Sequence, residues 1–143
     1  MKLSENLPAI GVIAFLIIGV GMIVFRASSP SVNSVVVDVK TPELSPQALA
    51  GKKTFDAYCA QCHGENGGGS KQGPPLVHTI YNPGHHADQA FFLAAKRGVK
   101  RHHWNFEDMP PQPQVKDKEI ASIVSYIREL QAANGIFFKR HRM

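Results

Sequence analysis

Cys59-Ala60-Gln61-Cys62-His63 is the stretch on which the reading of this 143-residue chain turns. It holds the chain's only 2 cysteines. Spaced at i and i+3, their side chains leave a helical turn on the same side, and a histidine follows at once. Such a pair is a tight disulfide, half of a metal site, or an attachment point that consumes both thiols together. A structural zinc site wants further ligands at finger-like spacing, and there is no second cysteine pair. A thioredoxin-like dithiol calls for a βαβ pattern that the sequence lacks. The histidine favours the third reading, covalent attachment of haem c, in which Cys59 and Cys62 reach adjacent vinyl groups and His63 comes underneath the iron.

Working outward, 43% hydrophobic residues leave room for one small domain and an accessory segment. A domain of about 100 residues buries a modest share of its surface, so a large prosthetic group adds usefully to its core. The formal charge of +5 suits an acidic partner surface or anionic lipid headgroups, and no nucleic-acid partner is expected.

Residues 1–25 are expected to form a membrane anchor. Leu7 to Phe25 carries no charge, and its 19 residues at about 1.5 Å each span roughly a bilayer's hydrocarbon core. A removed secretory signal is the alternative, but the cut site is poor. Cleavage after Ala27 places Phe25 where a small residue is wanted, and cleavage after Ser29 puts Pro30 just beyond the scissile bond. Flanking charge is nearly balanced and says little about orientation.

Residues 26–44 show no helical period and are expected to be a flexible linker with a reach of about 24 Å. Ser45-Pro46 predicts an N-cap and first helical position, opening a helix through Tyr58. A second helix is expected from Gln89 to Arg97, capped by Asp88 and stopped at Gly98. In the third, Ile120, Ile123, Val124, Ile127 and Leu130 share one face, with Asp117 as cap. The fold class is therefore all-α, with loops long enough to need something that holds them.

Past the attachment motif, residues 45–131 resemble class I c-type cytochromes. Gly51 and Phe55 match the family's glycine–aromatic pair on its first helix, and Ile123 and Tyr126 match the aliphatic and aromatic pair on its last. The resemblance implies three main helices and long loops around one covalently attached haem, here preceded by a single transmembrane helix. In Gly73-Pro74-Pro75-Leu76 it implies that the Pro74 carbonyl holds the ring of His63, the axial ligand. It also implies a methionine as sixth ligand, in the loop before the last helix. Met109 sits in that loop, whereas Met1 and Met143 are terminal and Met22 lies in the apolar segment. The rivals are His85-His86 and His102-His103, which would give a bis-histidine haem of lower potential. Together with His78 these histidines offer a surface copper or zinc site, a weak idea because paired neighbours on a loop are expected to point apart. Trp104 is expected to wall the haem crevice.

Lys96, Arg97, Lys100 and Arg101 cluster before the proposed ligand loop. The resemblance implies that they steer docking onto acidic faces of redox partners; the plainer account is a solvated helix end. Residues 132–143 form a basic and aromatic tail beyond the family pattern. The implied function is a membrane-tethered electron carrier of the bacterial inner membrane, single-pass, with its haem domain in the periplasm. Its expected partners are a redox donor and acceptor among respiratory membrane complexes. The alternatives are a haem subunit of an oxidase or dehydrogenase, or a catalytic or sensing haem protein with a labile sixth ligand.

Overall fold

The computed structural model describes residues 7–28 and 35–140, with side chains of the first helix described at 11–24. The chain divides into two units, Met1–Ser31 and Val32–Met143. The first contains α1, Leu7–Ser28. Its large apolar side chains face outward, with Phe15 75% and Ile23 70% exposed. Among the described residues no helix is long and apolar enough to cross a membrane.

The second unit is built from α2 (Pro46–Tyr58), α3 (Ala60–His63), α4 (Asp88–Arg97) and α5 (Asp117–Ala133), with short 3-10 turns at Glu65–Gly67 and Thr79–Tyr81. No strand occurs among the described residues; an isolated antiparallel bridge joins Val99 to Met109.

Local chemistry explains the helix ends. The Ser45 hydroxyl accepts the Ala48 N–H at 3.2 Å and donates to Glu129 Oε1 at 2.6 Å, so one residue both caps α2 and ties it to α5. The expected caps of α4 and α5 move by one residue. Asp88 and Asp117 are the first helical residues, and Ala87 and Lys116 are the caps. An acid in the first turn still favours the exposed N–H groups there, and the Lys116 N–H is met by the Glu119 carboxylate at 2.8 Å. Gly98, at φ 74°, ends α4 as anticipated.

The core lies where α2 crosses α5. Phe55 and Tyr126 are fully buried and meet edge to face at 5.6 Å between ring centres. Ile120, Ile127 and Leu130 complete the stripe on α5. Each such side chain contributes on the order of 2 kcal/mol through burial.

Two expected boundaries are corrected. The 26–44 linker is not a free tether throughout. α1 runs to Ser28, and although 35–44 has no regular secondary structure, it is bonded to the domain. The Val37 N–H donates to the Gly68 carbonyl at 2.8 Å, and Lys40 exchanges bonds of 3.0 and 2.8 Å with the Asn134 side chain. An extended segment without a strand partner must satisfy its backbone somewhere, and here the domain edge does so. The tail is also partly built in. Ile136 is buried, and the Lys139 N–H donates to Asn82 Oδ1 at 3.2 Å. Phe137 and Phe138 remain exposed.

Candidate cofactor cavity

Cys59 sits at the junction of α2 and α3, and the single turn Ala60–His63 carries His63 into the domain while Cys62 stays exposed. Cys59 and Cys62 are not joined to each other as a disulfide; Cys59 is half-buried and Cys62 exposed. Burial, reinforced by neighbouring Cys62, pushes the Cys59 thiol up to about 11.

His63 is buried, and its Nδ1 lies 2.9 Å from the Pro74 carbonyl. A carbonyl cannot donate, so Nδ1 carries the proton and Nε2 keeps its lone pair for a metal. Burial lowers the pKa of His63, the Pro74 bond opposing, so the neutral ring is favoured. Pro74 is placed by a loop folded onto α3. The Gly69 N–H donates to the His63 carbonyl at 2.6 Å, and the Ser70 hydroxyl donates to the Cys62 carbonyl at 2.6 Å. A side chain at Gly73 would come within 2.8 Å of the Cys62 carbonyl oxygen.

A cavity of about 440 Å³ opens beside these residues. Cys59, His63, Pro74, Trp104 and Met109 line it, with Leu76, Phe91 and Val124 among its apolar lining. Met109 is pinned by its backbone: its N–H and carbonyl exchange bonds of 3.0 and 2.9 Å with Val99. Gly98 permits this approach, since a Cβ there would fall 2.4 Å from the Met109 carbonyl oxygen. Trp104 lines the cavity as expected, its Nε1 donating to the Tyr81 hydroxyl at 3.1 Å.

The basic cluster is less uniform than its sequence. Lys96 pairs with Asp117 at 2.7 Å and Lys100 with Asp108 at 2.6 Å, while Arg97 and Arg101 line the cavity. The histidine pairs depart further from expectation. His85, His86 and His103 do not point apart but bring ring nitrogens within 4.8 Å of one another. The turn before His85 and the loop after α4 fold against each other and cancel the divergence of chain neighbours. His78 stands elsewhere, its ring against Trp104 at 5.1 Å.

Arg128 escaped the sequence reading. It donates to the Tyr81 carbonyl at 2.8 Å, to Gln131 Oε1 at 2.6 Å, to the carboxylate of Asp88 at 2.8 Å and to the carbonyl of His86. The one available signal was a cation directly beside the apolar stripe of α5.

These residues fit a covalently attached haem. The Cys59 thiol, an imidazole with its metal-binding nitrogen left available, and a thioether share one largely apolar cavity, with the exposed Cys62 three positions on from Cys59. The family model described as Cytochrome c matches residues 48–131. No curated protein and no solved structure matches alongside it. That family binds covalently attached haem c, and Cys59 and Cys62 fit its attachment motif. The matched span begins within α2, ends within α5 and takes in the whole loop from Cys59 to Met109 as well as more than half of the chain, and so the protein belongs to the cytochrome c family.

Proposed function

We propose that this protein is a membrane-tethered electron carrier, with haem held by Cys59 and Cys62 and with His63 and Met109 as its axial ligands. The observation that carries the reading is the shared cavity: His63, oriented through Nδ1 by Pro74, and Met109, fixed by the Val99 bridge, both line it. When bound, haem supplies a one-electron iron couple, and thioether ligation raises its potential relative to a second imidazole. The chain's own residues do the rest. Pro74 holds the proton on Nδ1, so Nε2 would be available to the metal as a neutral base.

Met109 is supported over the other methionines because, among the described residues, it is the one that lines the cavity. Rim cations Arg97 and Arg101 suit weak, fast association with an acidic redox partner. Lys96 and Lys100, already paired, contribute less to that field. The anchor reading rests on the uncharged run Leu7 to Phe25 and on the outward apolar face of α1. The resemblance to class I c-type cytochromes is what suggests a bacterial inner membrane with the haem domain on the periplasmic side.

Spectroscopy of the holoprotein tests the ligation. The ferric protein is expected to show a near-infrared sulfur-to-iron band that Met109→Ala abolishes. An unchanged visible spectrum in Met109→Ala would overturn the assignment. Membrane fractions should retain the full chain and release a haem domain lacking residues 1–31; recovery of the full chain in the aqueous fraction would overturn the anchor. Isolation in mild detergent separates a shuttle, which comes away alone, from a permanent subunit, which brings its complex.

A further inference from the structure

Away from the attachment motif, the densest collection of metal-binding side chains is all imidazole. Among the described residues, His85, His86 and His103 each offer a ring nitrogen, and these atoms lie within 4.8 Å of one another. They come from two separate loops. His85 and His86 stand on a turn where both backbone N–H groups donate to the Asn82 carbonyl, at 3.0 and 2.9 Å. His103 arrives from the segment between α4 and Met109.

The cross-loop pair is the closest, with His85 Nε2 at 3.2 Å from His103 Nε2. Around a tetrahedral ion with metal–nitrogen bonds of about 2.05 Å, neighbouring ligand nitrogens stand about 3.3 Å apart. One edge of such a site is therefore already formed. Contracting the remaining separation from 4.8 Å needs a movement of roughly 1.5 Å, within reach of small side-chain rotations.

The supporting bonds have the pattern that orients metal-bound histidines. His86 Nδ1 donates to the Ile80 carbonyl at 2.9 Å, which leaves Nε2 as its ligand atom. The His86 carbonyl is itself held by Arg128, so the turn is braced from α5. A fourth ring, His102, lies 4.3 Å from His103 between centres, its own Nδ1 directed to the Lys100 carbonyl at 2.8 Å. The group of three holds no carboxylate, which disfavours calcium and magnesium and suits copper or zinc.

We infer that His85, His86 and His103 form a binding site for one divalent ion of the copper–zinc class, on the wall of the haem cavity and distinct from Cys59, Cys62 and His63. His86 and His103 line that cavity directly. The competing account is a purely hydrogen-bonded cluster, in which one ring N–H donates to the lone pair of the other across the same 3.2 Å.

Equilibrium dialysis of the full-length ferric holoprotein against Zn(II), and separately Cu(II), decides between them. One ion per chain is expected. His85→Gln and His103→Gln should each weaken binding at least tenfold, while His78→Gln leaves it unchanged. The visible spectrum of His85→Gln, at a residue outside the cavity lining, should match that of the parent. Equal binding by the parent, His85→Gln and His103→Gln would overturn the site, as would absence of binding by the parent. A shifted spectrum in His85→Gln would also overturn it, by placing that imidazole on the haem iron. The Met109→Ala spectrum is an independent readout, so failure of the sulfur ligation and failure of the histidine site are told apart.

Discussion

Gly51 of α2 faces the Ser122 carbonyl of α5 so closely that a Cβ at position 51 would fall 2.0 Å from its oxygen. The two helices thus cross backbone to backbone, and the close approach seats Phe55 against Tyr126 behind the cavity. Glycine weakens a helix on its own, and here the weakness is exchanged for contact that no other residue allows.

Gly51→Ala is expected to force α2 and α5 apart. The obstruction is main chain, which cannot rotate away, so the cost should reach about 3 kcal/mol, the upper part of the range for overpacking. Denaturant unfolding of the holoprotein, followed by circular dichroism, measures it. A loss below about 0.5 kcal/mol would show that the helices do not cross this tightly.

Arg128→Met keeps much of the side chain's length but removes four charge-assisted bonds, to Tyr81, Gln131, Asp88 and His86. With the guanidinium gone, the carbonyls of Tyr81 and His86 lose a donor, while Gln131 still donates to Tyr81 at 3.1 Å. Destabilisation of about 2–3 kcal/mol is expected. Amide hydrogen exchange should quicken in the turn 78–87 more than in α2. Uniform quickening across the domain would refute a local clamp.

Tyr126 sets an alkaline limit. Its phenol is pushed up to about 12, by burial first and then by the carboxylates of Asp56 and Glu65. In the unfolded chain it ionises near the ordinary value of 10.0, so above that pH the unfolded state loses its proton first. Stability is complete below 10 and falls as pH rises through about 12, by about 1 kcal/mol at pH 11. Tyr126→Phe loses the bond to Asn66 Oδ1, 2.9 Å long, at a cost of about 1 kcal/mol at neutral pH. It should flatten the decline between pH 9 and 11 in melts at stepped pH; an identical decline in parent and variant would contradict the assignment.

The sequence reached furthest where structure is local. Ser45-Pro46 and Gly98 mark helix ends because capping and φ preference act within a few residues. Caps fell one residue out at Asp88 and Asp117, since an acid serves the first turn almost equally well from either position. Cys59, Cys62 and His63 needed no tertiary information, because the chemistry is set by spacing along a single turn. The Pro74 bond is longer-range but was legible through resemblance, and the structure places it at 2.9 Å.

Residue pattern alone is enough for an all-α chain with an attachment motif, an amphipathic last helix and an uncharged 19-residue run. Long-range packing settles where 35–44 and Ile136 belong, which groups Arg128 bonds, and that His85 and His103 meet across 18 positions of chain. The physical reason is common to all of these. Each depends on backbone groups or side chains brought together by the packing of other elements, and no pattern of hydrophobic spacing encodes which polar groups then stand opposite one another.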